Sequence, residues 1–200
     1  MPPPSRTLGV VLFPRFELLD VFGPLEMLGY VENLRITLVA ESAGPVASTQ
    51  GPRAVAEHAL AEAPRFDVLL VPGGLGTRKE VDNAPLVDWI AARSAAAELV
   101  TTVCTGAALL ARTGLLDGRR ATTNKRAFAW VEEQGPRVEW VKHARWVEDG
   151  KFVTSSGVSA GIDMTLAVIE RLYGTPVAEE IANRTEYERH RDPDWDPWAV

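Results

Sequence analysis

One cysteine occurs in this chain, and its position is chemically suggestive. Cys104 follows the apolar run Glu98-Leu-Val-Thr-Thr-Val103 and precedes the helix-like stretch Thr105-Gly-Ala-Ala-Leu-Leu-Ala-Arg112. A sharp strand-to-helix turn lifts a side chain out of the sheet and sets its sulfur at a helix N-terminus, where unpaired N–H groups favour thiolate. Such surroundings bring a thiol from about 8.5 down to somewhere in roughly 3.5–7.5, so the sequence predicts an activated nucleophile. A cysteine can also serve as a small buried hydrophobe. Its placement at the turn favours chemistry.

Two further strand ends carry reactive or permissive residues. After Leu8-Gly-Val-Val-Leu-Phe13 come Glu17 and Asp20, and after Phe66-Asp-Val-Leu-Leu-Val71 comes Pro72-Gly73-Gly74. Asp20 can move a proton or cap a helix, and Glu17 reads as an exposed charge at a helix start. A Gly-Gly turn can bring backbone N–H groups up to a reacting oxyanion, although it is also an ordinary turn.

The elements that must position these residues alternate. The continuous apolar run 8–13 reads as a strand buried on both faces, 66–71 as another buried strand, and 35–40 and 98–103 as further strands. Helices are predicted after a break at Gly23-Pro24, over 85–97, 105–112, 125–134 and 160–172, the last closed by Gly174. A hairpin is expected around Asp149-Gly150. This alternation predicts an α/β sandwich with a mostly parallel sheet, whose active site lies off the carboxyl ends of the strands.

The 200 residues suit one domain, with 46% hydrophobic and 24% charged side chains. A net charge of −6 argues against a nucleic-acid partner. Arg119-Arg120 and Lys125-Arg126 read as solvated surface. No apolar run reaches membrane-spanning length, so no membrane partner is expected. Met1 to Thr7 has no apolar signal core and reads as a disordered leader, which makes the cytoplasm the expected location. One cysteine allows neither an internal disulfide nor a cysteine-based zinc site.

Several segments together resemble the DJ-1/PfpI superfamily, in particular its isonitrile-hydratase-like and amidotransferase-like branch. They are Leu19-Asp20-Val-Phe-Gly-Pro24, Asp67-Val-Leu-Leu-Val-Pro-Gly-Gly74, Val103-Cys-Thr-Gly106, Gly114-Leu-Leu-Asp-Gly118, Arg120-Ala-Thr-Thr123, and Thr154-Ser-Ser-Gly157 to Ser159-Ala-Gly-Ile-Asp163. The resemblance implies a flavodoxin-like three-layer sandwich over residues 8–174, a homodimer, a small electrophilic substrate, and neither metal nor organic cofactor. It assigns Cys104, Asp20 and Thr105 to catalysis, and Gly73, Gly74, Thr105, Asn124, Gly157 and Val158 to oxyanion or substrate binding.

Glyoxalase-like and peptidase-like relatives carry a histidine after the Thr-Thr pair, and many hydratase-like relatives have His-Trp there, whereas here Asn124-Lys125 follows Thr122-Thr123. Asparagine cannot shuttle a proton near neutral pH. His58, His143 and His190 lie outside the matched segments and read as structural or surface residues. The resemblance therefore implies isonitrile hydration through a Cys104 thioimidate, with Asp20 as acid and base and an N-substituted formamide as product. Glyoxalase-like, deglycase-like or amidase-like chemistry is the alternative within the family. A stress-response role in which Cys104 senses oxidation is the alternative outside catalysis.

Residues 175–200 read as a C-terminal helix and an aromatic tail. The tail carboxylates are separated by prolines, which disfavours a metal site. Trp195 and Trp198 are expected to pack on the domain or across a dimer interface.

Overall fold

The computed structural model describes residues 5–199. In chain order the elements are β1 Arg6–Val11, α1 Leu18–Leu28, β2 Leu34–Ala40, β3 Gly44–Ala47, β4 Arg53–Ala56, β5 His58–Ala59, β6 Val68–Val71, α2 Thr77–Glu80, α3 Ala84–Ala96, β7 Leu99–Thr102, α4 Gly106–Arg112, β8 Arg120–Ala121, α5 Phe128–Gln134, β9 Glu139–Trp140, β10 Trp146–Asp149, β11 Phe152–Ser155, α6 Ala160–Tyr173 and α7 Thr175–Arg184. The predicted leader over 1–7 is corrected at its end, because Arg6 and Thr7 already belong to β1. They pair in parallel with Leu34 and Arg35. The part of that reading on residues 1–4 lies outside the described residues.

Seven strands form the main sheet in the order β10-β11-β7-β6-β1-β2-β5. Every neighbouring pair is parallel except β10 with β11, which form the hairpin expected around Asp149-Gly150. Within this sheet, β2-β1-β6-β7-β11 reproduces the flavodoxin-like 2-1-3-4-5 order, with β5 and β10 added at the two edges. Helices cover both faces, so β6, β7 and β11 are buried along their whole length. That double burial fits the continuous apolar run of β6, while β7 and β11 also bury threonines.

The predicted break at Gly23-Pro24 does not occur, and α1 runs through both residues. Pro24 removes the donor that would pair with the Asp20 carbonyl. Packing overrides this loss: Gly23 has no side chain, and Ile162 of α6 lies 2.9 Å from where a Cβ would stand. Asp20, Val21, Gly23, Pro24, Met27 and Leu28 are buried along the helix.

The tail is fastened to the domain by polar groups rather than by its tryptophans. The Pro193 carbonyl accepts from the Arg145 and Trp146 N–H groups at 2.7 and 3.3 Å. Asp163 on α6 accepts the Tyr187 hydroxyl at 3.1 Å and the His190 N–H at 2.9 Å. The same carboxylate forms a buried pair with Arg145 at 2.6 and 2.8 Å. Burial and the Asp163 carboxylate push the Tyr187 phenol up to about 12. Trp195 and Trp198 are 52% and 72% exposed, so of the two expected settings this chain's own domain leaves much of both indoles uncovered, and the dimer interface stays part of the proposal.

Candidate active site

The flavodoxin-like order places its switch point between β1 and β6, and the carboxyl ends of β1, β6 and neighbouring β7 lie together there. The β1 end leads into α1 with Asp20 in its first turn. The β6 end becomes Pro72-Gly73-Gly74, and the β7 end becomes Val103-Cys104.

Cys104 is the elbow the sequence predicts, with a φ of 55° in the left-handed region that a side chain rarely adopts. Neighbouring segments hold it there. Its N–H donates to the Ser156 carbonyl at 3.1 Å, and its carbonyl accepts the Thr123 hydroxyl at 2.8 Å. The backbone N–H groups of Thr105 and Val158 favour the charged form of the sulfur. Val158 itself has a φ of 26°, a strained conformation for a β-branched residue. These two N–H groups are the donors available to a developing negative charge.

The Gly-Gly turn serves a different purpose from the expected oxyanion hole. The Gly73 N–H donates to Asp20 Oδ2 at 2.9 Å, and the Gly74 N–H donates to Thr105 Oγ1 at 3.1 Å. Both donors are therefore engaged. A Cβ on Gly73 would meet the Thr105 nitrogen at 2.5 Å and Asp20 Oδ2 at 2.8 Å, so only glycine lets the acid and the elbow approach this turn. The Thr105 hydroxyl is also turned inward, 3.1 Å from the Thr77 hydroxyl and bonded to the Gly74 backbone. Thr105 thus faces the sulfur through its backbone, and its side chain braces the turn.

Asp20 is fully buried, and its Oδ1 has no hydrogen-bond partner among the described residues. Burial pushes its carboxyl well above the ordinary value, against the Gly73 N–H and the Cys104 thiol, which favour the charged form. Asp20 is therefore a carboxylic acid beside a sulfur. The alternative reading of Asp20 as a helix cap does not hold, since the N-cap position of α1 is Glu17. Glu17 is half-buried, bonds the Gln50 amide, and adds a negative field at both Asp20 and Cys104.

The expected low thiol value is corrected. Cys104 is 6% exposed, and burial followed by the Asp20 charge pushes its thiol up, over the opposing N–H groups of Thr105 and Val158. Helix α4 has only seven residues, a short source for the field that the sequence reading relied on. Protonation of Asp20 removes its charge and leaves burial as the dominant cause. We therefore expect the alkylation rate of Cys104 by iodoacetamide to keep rising with pH beyond the free-cysteine midpoint of about 8.5. A midpoint below that value would mean that the two N–H groups outweigh burial.

Asn124 stands where the resemblance places a histidine. Its Oδ1 accepts the Ala127 N–H at 3.1 Å and caps a 3-10 turn, while its amide nitrogen packs against Gly157, where no Cβ would fit. Asn124, Gly157 and Val158 line a mostly apolar cleft of about 630 Å³, whose other walls include Leu19, Lys125 and Trp198. Cys104 does not line this cleft but adjoins it through Val158.

Lys125 is not solvated surface as predicted. Its side chain is 5% exposed, its ammonium donates to Thr122 Oγ1 at 2.9 Å and the Ala144 carbonyl at 2.6 Å, and burial lowers it to about 8. Its partner is the buried Asp196 carboxylate at 3.8 Å, an ion pair too long to be a hydrogen bond.

Sequence reasoning missed Arg78. Its guanidinium lies 4.1 Å from the Trp130 ring centre and donates to Thr77 Oγ1 at 3.2 Å. Burial lowers its guanidinium from the ordinary value, against the charged form of the Cys104 sulfur, which favours it. The available signal was its position four residues after Gly74, at a strand end already marked as part of the site. Among the described residues, no three His, Cys, Asp or Glu side chains are arranged to hold a metal ion.

The description "DJ-1/PfpI family" matches residues 6–171. An isonitrile hydratase from Pseudomonas putida is 34% identical over 180 residues, covering 90% of this chain and 78% of the relative. The transcriptional regulator GbdR from Pseudomonas aeruginosa is 28% identical over 96% of this chain, which spans 54% of that regulator's length. The crystal structure of a ThiJ/PfpI family protein from Pseudomonas syringae superposes with a TM-score of 0.84 at 30% identity, covering 95% of this chain and 78% of that one. Sequence, sheet order and elbow geometry agree: this chain belongs to the DJ-1/PfpI family.

Proposed function

We propose that this protein is a cofactor-independent, cysteine-dependent hydratase that converts isonitriles to N-substituted formamides. The observation that carries this reading is the buried Asp20 carboxyl, which has one oxygen unpartnered among the described residues and whose proton affinity the Cys104 thiol influences. Similarity to an isonitrile hydratase supports the substrate class.

In this mechanism the Cys104 sulfur bonds to the terminal isonitrile carbon. Asp20 delivers a proton to that carbon, and the thiol proton replaces the one it gave. The product of this step is a thioimidate, with the charge that develops near the sulfur facing the Thr105 and Val158 N–H groups. Asp20 then gives its proton to the imine nitrogen and takes one from the water that adds to the same carbon. Cleavage of the C–S bond, with the hydroxyl proton passing to sulfur, releases the formamide and restores the thiol. Arg78 adds positive field beside the sulfur.

Asn124 supports this reading over glyoxalase-like chemistry, because the third position of the site offers an amide and no titrating base. A cytoplasmic setting belongs to the same proposal, since a reducing compartment keeps the thiol free. The test is a panel of isonitriles, methylglyoxal and amides, with formamide formation followed by NMR. Isonitrile hydration is the expected result, and methylglyoxal turnover without it would overturn the reading.

The proposal includes a homodimer. Phe22 on α1 is 43% exposed, apolar surface suited to a second copy of the chain. Sedimentation at micromolar concentration is expected to show a dimer, and a monomer throughout that range removes this part.

A further inference from the structure

The residues around the 630 Å³ cleft connect it to the reactive pair on three sides. Leu19 precedes Asp20. Val158 lines the cleft, and its N–H favours the charged form of the Cys104 sulfur. Asn124 follows Thr123, whose hydroxyl holds the Cys104 carbonyl. The cleft's volume falls within the usual range for small-molecule sites, and its lining is mainly apolar.

The outer wall comes from the C-terminal tail. Trp198 lines the cleft although most of its indole is exposed, an arrangement that is costly for a large apolar ring with nothing to cover it. The tail is nevertheless fixed in place. Asp196, two residues earlier, is buried against Lys125, and its Oδ1 accepts the Trp198 N–H at 3.0 Å. The backbone is further held through Pro193.

We propose that Trp198 is a specificity-determining residue and that the cleft it walls receives a large, uncharged apolar substituent of the electrophile, of benzyl or cyclohexyl size. The Lys125–Asp196 pair positions the tail. The Lys125 ammonium is occupied by Thr122, Ala144 and Asp196, which leaves the exposed Arg126 as the cation on the cleft lining, while most of the lining surface is apolar. An apolar substituent lying between Leu19 and Trp198 covers the exposed indole and points the reacting carbon past Val158 towards the sulfur. This inference rests on Cys104 as the reacting group in the proposed function and adds the shape of what it reacts with.

The test uses covalent capture, independent of isonitrile turnover. In a maleimide addition the Cys104 sulfur bonds to one alkene carbon and a proton goes to the other. Second-order rates at Cys104 are measured for N-benzylmaleimide and N-methylmaleimide, each divided by its rate with glutathione. The wild-type protein is expected to favour the benzyl probe by about 10-fold, the scale of burying one aromatic substituent. Trp198→Ala should bring that ratio near one, and Trp198→Phe should retain most of it. No benzyl preference, a preference unchanged in Trp198→Ala, or no reaction of either probe at Cys104 overturns the proposal. Loss of the preference in a protein that hydrates no isonitrile leaves the subsite standing and removes the reaction assignment. Hydration with an unaltered ratio does the reverse.

Discussion

Cys104→Ala is expected to reduce isonitrile hydration by about 10⁴-fold or more, because no other group in the site can form the thioimidate. Asp20→Asn should lose nearly as much while preserving the fold. Asparagine can still accept the Gly73 N–H, but it cannot deliver a proton. The two variants are separable by single-turnover analysis with mass detection. Cys104→Ala forms no adduct, whereas Asp20→Asn retains a thiol that can be captured by a reactive probe. Thermal unfolding supplies the control. Burial raises Asp20 in the folded protein, so its contribution to stability is complete below the unfolded value and is lost as pH rises through the folded one. Asparagine has no proton to lose. At neutral pH the variant should therefore melt at or above the wild-type temperature, with the difference shrinking towards pH 4. An Asp20→Asn protein that keeps wild-type turnover would remove the acid from the mechanism.

Asp163→Ala is expected to cause the largest loss of stability. It strands the buried Arg145 guanidinium and also removes the acceptor for the Tyr187 hydroxyl and the His190 N–H. Breaking one partner of a buried pair costs about 3–5 kcal/mol, which in a domain of this size lowers Tm by about 10 °C. Replacing both charges, as Asp163→Leu with Arg145→Met, should recover much of that loss, since no charge is then left without a partner. Thermal unfolding of the single and double variants decides it. A single variant within about 2 °C of wild type would show that water reaches Arg145 and that the pair contributes little.

The strands and the elbow were legible because strong local signals coincided with the final packing. The run Val68–Val71 is apolar on every residue, and β6 is buried on both faces. Cys104 falls between an apolar run and a run of small helix formers, and its backbone adopts the sharp turn that this order requires. Features that depend on neighbours from distant segments were not legible. Gly23-Pro24 reads as a break, yet Ile162, more than a hundred residues later, packs into the space that glycine leaves. Lys125 reads as a surface charge until Asp196 and the Ala144 carbonyl enclose it. The Gly-Gly turn shows that backbone N–H groups are available, but only the fold shows that Asp20 and Thr105 occupy them. The thiol's direction failed for the same reason: the helix field is written in local order, whereas burial depends on the whole domain.

The site also divides its labour among chain segments that do not share a backbone. The acid enters from the first turn of α1, the nucleophile from the end of β7, the sulfur-facing Val158 N–H from the loop after β11, and Asn124 from the 3-10 turn before α5. Each segment is anchored independently, Asp20 by Gly73, Cys104 by Thr123 and Ser156, and Asn124 by its own cap. A change at residue 124 therefore alters which protons can move while leaving the sulfur and its acid in register. The scaffold is thus built so that reaction type can diverge one segment at a time, with the nucleophile as the constant part and the surrounding loops as the variable ones.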